Sequence, residues 1–220
     1  MVTYLQSKWD RASRTYDLVT WGDERRFGPA KCDLFSRMSG ECLMVAVGTG
    51  NDFRYFPPGL AITAIDVSPS MLERARRRAD RYPGRLQLRI MDVQALDLAD
   101  ATFDTVVTAC TFCSVPDPLR GLRELYRCLK PGGQLLMFEH VRSRVGPIAV
   151  LQDLMTPITR RLGPDMNRET VANVVRTGFE LCREENVYLD IVKAIQARRP
   201  GDGSLQRTVS ANPGIRGAPR

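Results

Sequence analysis

Five short clusters in this chain hold side chains suited to binding and chemistry, and each directly follows a strand-like run, apolar or alternating. Gly48-Thr49-Gly50 follows 43–47, Asp66 follows 60–65, Asp92 follows 85–91, Cys110-Thr111 follows 105–109 and Glu139-His140 follows 134–138. Glycine has no Cβ, so its backbone can turn sharply and come close to a ligand. A carboxylate at the end of a second strand is where α/β nucleotide sites hold ribose hydroxyls. Gly48 and Gly50 after one strand, with Asp66 after the next, frame an adenosine-type site. On that stretch alone a plainer reading stays open: a β-turn between two core strands, with Asp66 capping the next helix.

The elements that must position these clusters are marked by their punctuation. Residues 3–20 and 22–39 read as helices, the second carrying Phe27, Leu34, Phe35 and Met38 at helical spacing and stopped by Gly40. Pro57-Pro58-Gly59 is a turn. Ser68 before Pro69 is an N-cap with proline at the first helical position, and the helix runs to about 82. In strand 85–91, Leu86, Leu88 and Ile90 share one face. A helix over 119–129 follows Pro116-Asp117-Pro118, and Lys130-Pro131-Gly132-Gly133 turns sharply into strand 134–138. A helical region over 145–168, a short helix to 176, and a hairpin of 179–189 with 191–197 complete the order. Strands alternating with helices predict an α/β fold with a doubly wound parallel sheet, and ligands in such sheets sit beyond the C-terminal strand ends.

Length and composition fit one soluble domain over 1–199, while 200–220 has almost no apolar content and is expected to be a disordered tail. No run approaches a membrane span and the N-terminal residues lack a signal-peptide core, so a cytoplasmic location is expected. The net charge is +7, and its densest source is Arg74, Arg76, Arg77, Arg78 and Arg81 within one helix. Such a face suits an anionic lipid surface or simple solvation. Without interleaved aromatics it lacks the stacking platform of a single-strand binder, so no nucleic-acid partner is expected. Cys110 and Cys113 form a CxxC, but there is no second pair and His140 is the only histidine, so no metal is expected. Oligomeric state is not legible.

The chain resembles the class I S-adenosylmethionine-dependent methyltransferases. The resemblance rests on VGTG (47–50), AIDVSPSMLERA (64–75), MDVQAL (91–96), FDTVVTACTFCSVPDP (103–118) and LYRCLKPGGQLLMFEHV (125–141). Within the class it is similar to the quinone-biosynthesis and phospholipid methyltransferases, and to the alkyl thiol methyltransferases, which share a pattern like GTGNDFRYFPPG, CSV and FEHV. It implies a Rossmann-like, mostly parallel seven-stranded sheet with a C-terminal antiparallel hairpin, and S-adenosylmethionine as cofactor. By the same resemblance, Val47, Gly48, Thr49 and Gly50 lie against the methionine part of the cofactor. Asp66 takes the ribose hydroxyls, Val67 and Met71 flank the adenine, and Asp92, with Val93 beside it, meets the adenine amino group. Cys110 and Thr111 line the path to the acceptor, and Tyr16 closes over the cofactor.

Two positions depart from the family pattern. Met44 and Ala46 stand where strand one usually carries an acid and a glycine. The first change removes a polar anchor near the cofactor's amino group, and the second adds a Cβ where backbone and ligand approach, at a cost of about 1 kcal/mol if positive φ is needed there. Methyl transfer needs alignment and exclusion of water, and a base when the nucleophile carries a proton. His140 is the natural base, with Glu139 and Asp117 as weaker candidates; alternatively His140 supports the turn after strand five. The apolar residues of 145–168 are expected to cap the site, implying a small hydrophobic or amphipathic acceptor (thiol, quinol or phospholipid head group); alternatively they make the ordinary core contacts of a surface helix. An NAD-dependent oxidoreductase is disfavoured because Phe53 occupies the third position of Gly-x-Gly-x-x-Gly. A non-catalytic module that retains the fold is the other alternative.

Overall fold

Alternation along the central strands puts apolar side chains on both faces, and the chain meets this by covering both faces with helices. In β1 (Glu41–Val45), Leu43 and Val45 point to one side, Cys42 and Met44 to the other, and all four are buried. The computed structural model describes residues 2–201, and the expected tail beyond 201 lies outside them. The sheet order is β3-β2-β1-β4-β5-β7-β6, with β2 (Ala61–Asp66), β3 (Arg85–Ile90), β4 (Phe103–Ala109) and β5 (Leu129–His140) parallel to β1. β7 (Val192–Arg198) runs antiparallel between β5 and β6 (Glu180–Tyr188), which is the expected C-terminal hairpin.

On one face, Leu43, Val45 and Ile65 pack with Leu122 and Leu125 of α5 (Pro118–Cys128) and Val174 of α7 (Thr170–Arg176). On the other, Cys42, Met44 and Ala64 pack with Phe27, Leu34 and Phe35 of α3 (Trp21–Phe35) and with Leu72 and Ala75 of α4 (Pro69–Ala79). Ser68 caps α4 by accepting the Met71 N–H, and Asp117 caps α5 by accepting the Arg120 N–H.

Four details differ from the sequence reading. The single helix expected over 3–20 is broken into α1 (Val2–Ala12) and α2 (Tyr16–Val19), which turns Tyr16 inward against Trp9, ring edge to face at 6.3 Å. In β3 Leu86 and Leu88 are half-buried but Ile90 is exposed, because β3 is the sheet edge. The 130–133 turn does not precede β5 but bulges from it: Phe103 pairs with Leu129, and the next pair is Thr105 with Gln134. The helix α6 (Gly146–Leu162) buries Ala149, Gln152 and Thr156 and leaves Val150, Leu151, Leu154 and Ile158 more than half exposed.

Candidate functional site

Strand register brings the five clusters to one edge of the sheet. Val45 of β1 pairs with Ile65 of β2 and Thr108 of β4, Asp66 pairs with Ile90 of β3, and Ala109 pairs with Phe138 of β5. The residues just beyond these pairs emerge together. They emerge where the strand order reverses, between β1 and β4, which is where open α/β sheets leave a crevice.

Asp66 is nearly buried, and both its oxygens are engaged from the backbone: Oδ2 accepts from the Gly48 N–H and Oδ1 from the Ser68 N–H, each at 2.9 Å. Burial pushes its carboxyl up, and the N–H groups of Ser68, Gly48 and Val67 pull the other way. It does not cap α4, since Ser68 does. The Ser68 hydroxyl in turn donates to Asp10 Oδ1, which also accepts the Ser70 N–H, so α1 is tied to the start of α4. Asp92 is held by Gln94, whose backbone and side-chain N–H groups both donate to it, while Gln94 Oε1 accepts the Asp117 N–H.

Two cavities meet here. The first is lined by Tyr16, Gly48, Asp66, Val67, Met71, Asp92, Val93, Cys110 and Thr111 from the sequence reading, and by Leu5, Trp9 and Gln94, which that reading missed. The second is lined by Val47, Thr49 and His140, and by Asp23, Phe27, Lys31, Asp52 and Phe138. Tyr16, Ala46, Gly48, Ala109 and Cys110 border both. Gly50 lines neither; its φ of +80° makes the turn, and a Cβ there would meet the Phe53 ring at 2.7 Å. Trp9 and Leu5 gave no signal because a lone aromatic on a polar helix reads as surface. Among the described residues none of 145–168 lines either cavity, so the cap expected from that region is not formed by them.

Ala46 and Cys110 leave adjacent strands in the left-handed region, with φ of 54° and 50°. Such strain costs about 1–2 kcal/mol at a non-glycine residue and gathers at functional sites. Ala46→Gly is therefore expected to stabilise the fold by about 0.5–1 kcal/mol, after the entropic cost of glycine, and to raise Tm by roughly 1–4 °C. A lower Tm would show that the alanine is unstrained. Met44, the other departure, lies fully buried in the apolar cluster facing α3 and borders neither cavity.

The fifth cluster divides its labour. Glu139 is fully buried and accepts from Thr108 Oγ1 (2.7 Å), the Thr111 N–H (3.1 Å) and the Phe112 N–H (3.1 Å), so it fastens the loop after β4 and is not placed as a base. Burial pushes its carboxyl up to about 7 against those donors. A carboxyl whose folded pKa exceeds its unfolded value, about 4.5, stabilises below that value and loses the contribution as pH rises through the folded one. Glu139→Gln replaces an acceptor by a donor facing an N–H and is expected to cost about 1–3 kcal/mol. The Tm margin of the parent over this variant should narrow from pH 5 to 7; a constant margin would contradict the buried titration. His140 lines the second cavity, with the Cys113 thiol beside it. Burial opposes its charged form, but Cys113, Glu139 and Asp23 outweigh it and hold the imidazole pKa above its usual value.

An S-adenosyl group fits this donor set. Asp66 keeps outward lone pairs for hydroxyls, Val67, Met71 and Val93 offer an apolar slot, and beside Gly48 only the Tyr16 ring edge, at 3.9 Å, lies within 4 Å of where a Cβ would stand. Among the described residues no group of three or more His, Cys, Asp or Glu is placed to hold a metal, and no helix is long and apolar enough to cross a membrane.

A family profile described as "Methyltransferase domain" matches residues 43–137. Phosphatidylethanolamine N-methyltransferase of Cereibacter sphaeroides is 35% identical over 127 residues, which are 56% of this chain and 62% of that one. Thiol S-methyltransferase TMT1B of Rattus norvegicus is 32% identical over 195 residues, 78% of each chain. Ubiquinone/menaquinone biosynthesis C-methyltransferase UbiE of Cereibacter sphaeroides is 36% identical over 215 residues, 86% of this chain and 85% of that one.

Proposed function

This chain belongs to the class I S-adenosylmethionine-dependent methyltransferases, and from that premise we propose that it methylates a small hydrophobic or amphipathic acceptor in the second cavity. The observation that carries the proposal is the shared wall: Ala46 and Cys110 border both a cavity with Asp66, Asp92 and an apolar slot and another with Phe27, Phe138 and His140. Relatives named for transfer to nitrogen, sulfur and carbon match at similar identity. The acceptor class proposed is therefore a thiol, a quinol or a phospholipid head group.

Bound S-adenosylmethionine supplies an electrophilic methyl group on a sulfonium sulfur. Asp66 accepts hydrogen bonds from the ribose hydroxyls, and its own backbone donors fix the carboxylate so that little ordering remains on binding. Val67, Met71 and Val93 hold the adenine, and Asp92, braced by Gln94, faces its amino group. Tyr16 and Trp9, on the helices fastened by Asp10, cover the cleft and exclude water. A ring nitrogen of neutral His140 takes the proton of a thiol or phenol, while Phe27 and Phe138 receive the acceptor's apolar part. Arg11, Arg14, Arg74, Arg77 and Arg81 line an open cleft between α1 and α4 and, among the described residues, have no carboxylate within salt-bridge distance, which favours contact with an anionic membrane surface.

Transfer assays over hydrophobic thiols, quinols and amino head groups test this reading. Turnover with at least one of these classes is expected. Activity confined to large polar acceptors would refute it.

A further inference from the structure

The helix α6 is built inside out. Its buried stripe, Ala149, Gln152 and Thr156, is largely polar, while Leu151, Leu154 and Ile158 share the opposite side at helical spacing and are more than half exposed. Gln152 holds the helix to the body. Its amide accepts the Ser143 N–H at 2.7 Å and donates to the carbonyls of Val141 and Met166 at 2.9 and 2.8 Å. A surface helix normally turns its apolar stripe to the core. Folding in water gains nothing from leucines turned outward, and a large exposed apolar face marks a contact with something else.

α6 is one side of a rim at the C-terminal ends of the parallel strands. At its start, Asp190 in the β6–β7 turn accepts from the Ser143 hydroxyl (3.1 Å) and the Arg144 N–H (2.6 Å). At its end, Lys8 of α1 donates to the carbonyls of Arg160 and Gly163, each at 3.0 Å. Beside the β6–β7 turn, Phe27 of α3 meets the Tyr188 ring at 6.1 Å and Arg26 lies over it at 4.6 Å. The contact of Trp9 with Tyr16 joins α1 to α2 and completes the circuit. Among the described residues, every exposed large hydrophobic except Ile90, Val175 and Leu181 belongs to this rim, Leu18, Val19 and Trp21 included. From the same rim Tyr16, Asp23 and Phe27 reach into the second cavity.

The acids of the rim are largely held: Asp17 by Arg78, Asp153 by Arg142 and Asp190 by Lys193, while Asp23 is exposed but borders the second cavity. The arginines of the cleft beside α1 add a surplus of positive charge, and Arg25 lies over the Trp21 ring at 5.4 Å. A second copy of the chain would bring charge of the same sign against this face across a self-complementary interface. An anionic bilayer supplies phosphates for the arginines and hydrocarbon for the leucines, with tryptophan at the boundary. We propose that the rim is a membrane-docking face, on which α6 and the α2–α3 corner lay their apolar residues into an anionic bilayer. The proposal rests on the reading of an apolar acceptor and on the arginine contact. It adds the apolar half of the face and the source of the acceptor, which is drawn from the bilayer on which the rim rests.

Sedimentation of the full chain with lipid vesicles tests this without any acceptor. The parent should bind vesicles of phosphatidylcholine mixed with phosphatidylglycerol, and bind phosphatidylcholine alone about 10-fold more weakly or less. Leu151→Ser/Leu154→Ser, both on an exposed face, should lower binding by roughly 10-fold or more while the melting curve and S-adenosylhomocysteine affinity stay parent-like. Arg74→Gln/Arg77→Gln should lower binding by roughly 5- to 30-fold, on the anionic vesicles only. Vesicles with brominated acyl chains should quench tryptophan emission in the parent and much less in Trp21→Phe. Parent-level binding by the leucine variant, or quenching that is unchanged in Trp21→Phe, overturns the docking face. A parent that does not bind anionic vesicles overturns it too, and leaves the acceptor reading to stand or fall by the transfer assays. A dimer that the leucine variant dissociates, with no vesicle binding, would give this face to a second copy instead and overturn the proposal.

Discussion

Asp66→Ala is expected to lower affinity for S-adenosylhomocysteine by 10²-fold or more. Two ribose hydroxyls would lose a charged acceptor, and hydrogen bonds to a charged group are each worth about 1.5–3 kcal/mol. The carboxylate also receives the Gly48 and Ser68 N–H groups, so alanine leaves two backbone donors without their partner and destabilises the loop as well. Asp66→Asn separates the effects, since it keeps the shape and one acceptor oxygen while removing the charge. A folded Asp66→Asn protein, judged by its melting curve, should still show a large fraction of the affinity loss. Parent-like affinity in a folded variant would remove Asp66 from the cofactor site.

His140→Ala is expected to lower turnover on a thiol or phenol acceptor by about 10²–10⁴-fold, the usual worth of a general base, while changing cofactor affinity little. The pH dependence gives the sharper test. The neighbouring Cys113, Glu139 and Asp23 overcome burial and hold the proton on His140 above the ordinary histidine range. A base must be neutral to act, so parent kcat/KM should climb as pH rises through that raised value and then level. In His140→Ala this limb should vanish, and the deficit should shrink toward high pH, where a thiol (pKa about 8.5) or phenol (about 10) ionises unaided. A variant as active as the parent on its best acceptor, or an unchanged pH profile, would leave His140 a structural residue that supports the loop through Cys113.

Much of this site is readable in the chain because its signals are local. An apolar run followed by glycine or by an acid needs only neighbouring residues to be recognised, and so do the Ser68-Pro69 and Asp117-Pro118 helix starts. Once the strands were known to be parallel, register alone had to bring Gly48, Asp66, Asp92, Cys110 and His140 to one edge. The difference between Glu139 and His140 was not readable. They are neighbours on one strand, so their side chains alternate: one is drawn under the sheet edge by Thr108, Thr111 and Phe112, while the other reaches the cavity.

What the tertiary structure decided lies in partnerships between distant segments. The residues of 145–168 have the apolar spacing of a cap, but spacing says only that a helix has an apolar face, not what that face meets, and here most of it meets solvent. The break after α1 brings Trp9 and Tyr16 over the cleft because Asp10 is anchored on Ser68 and Ser70, far along the chain. Lys31 and Asp52 look like ordinary surface charges on two unrelated segments, and only packing α3 beside the 3-10 helix Asn51–Tyr55 makes them a buried pair on a cavity wall. The sequence determined the strand ends, and so the half of the site that carries Asp66 and Asp92, because backbone pairing and local turn chemistry place them. The second cavity depended on which side chains are desolvated together, a property of the packed chain that no single stretch of it carries.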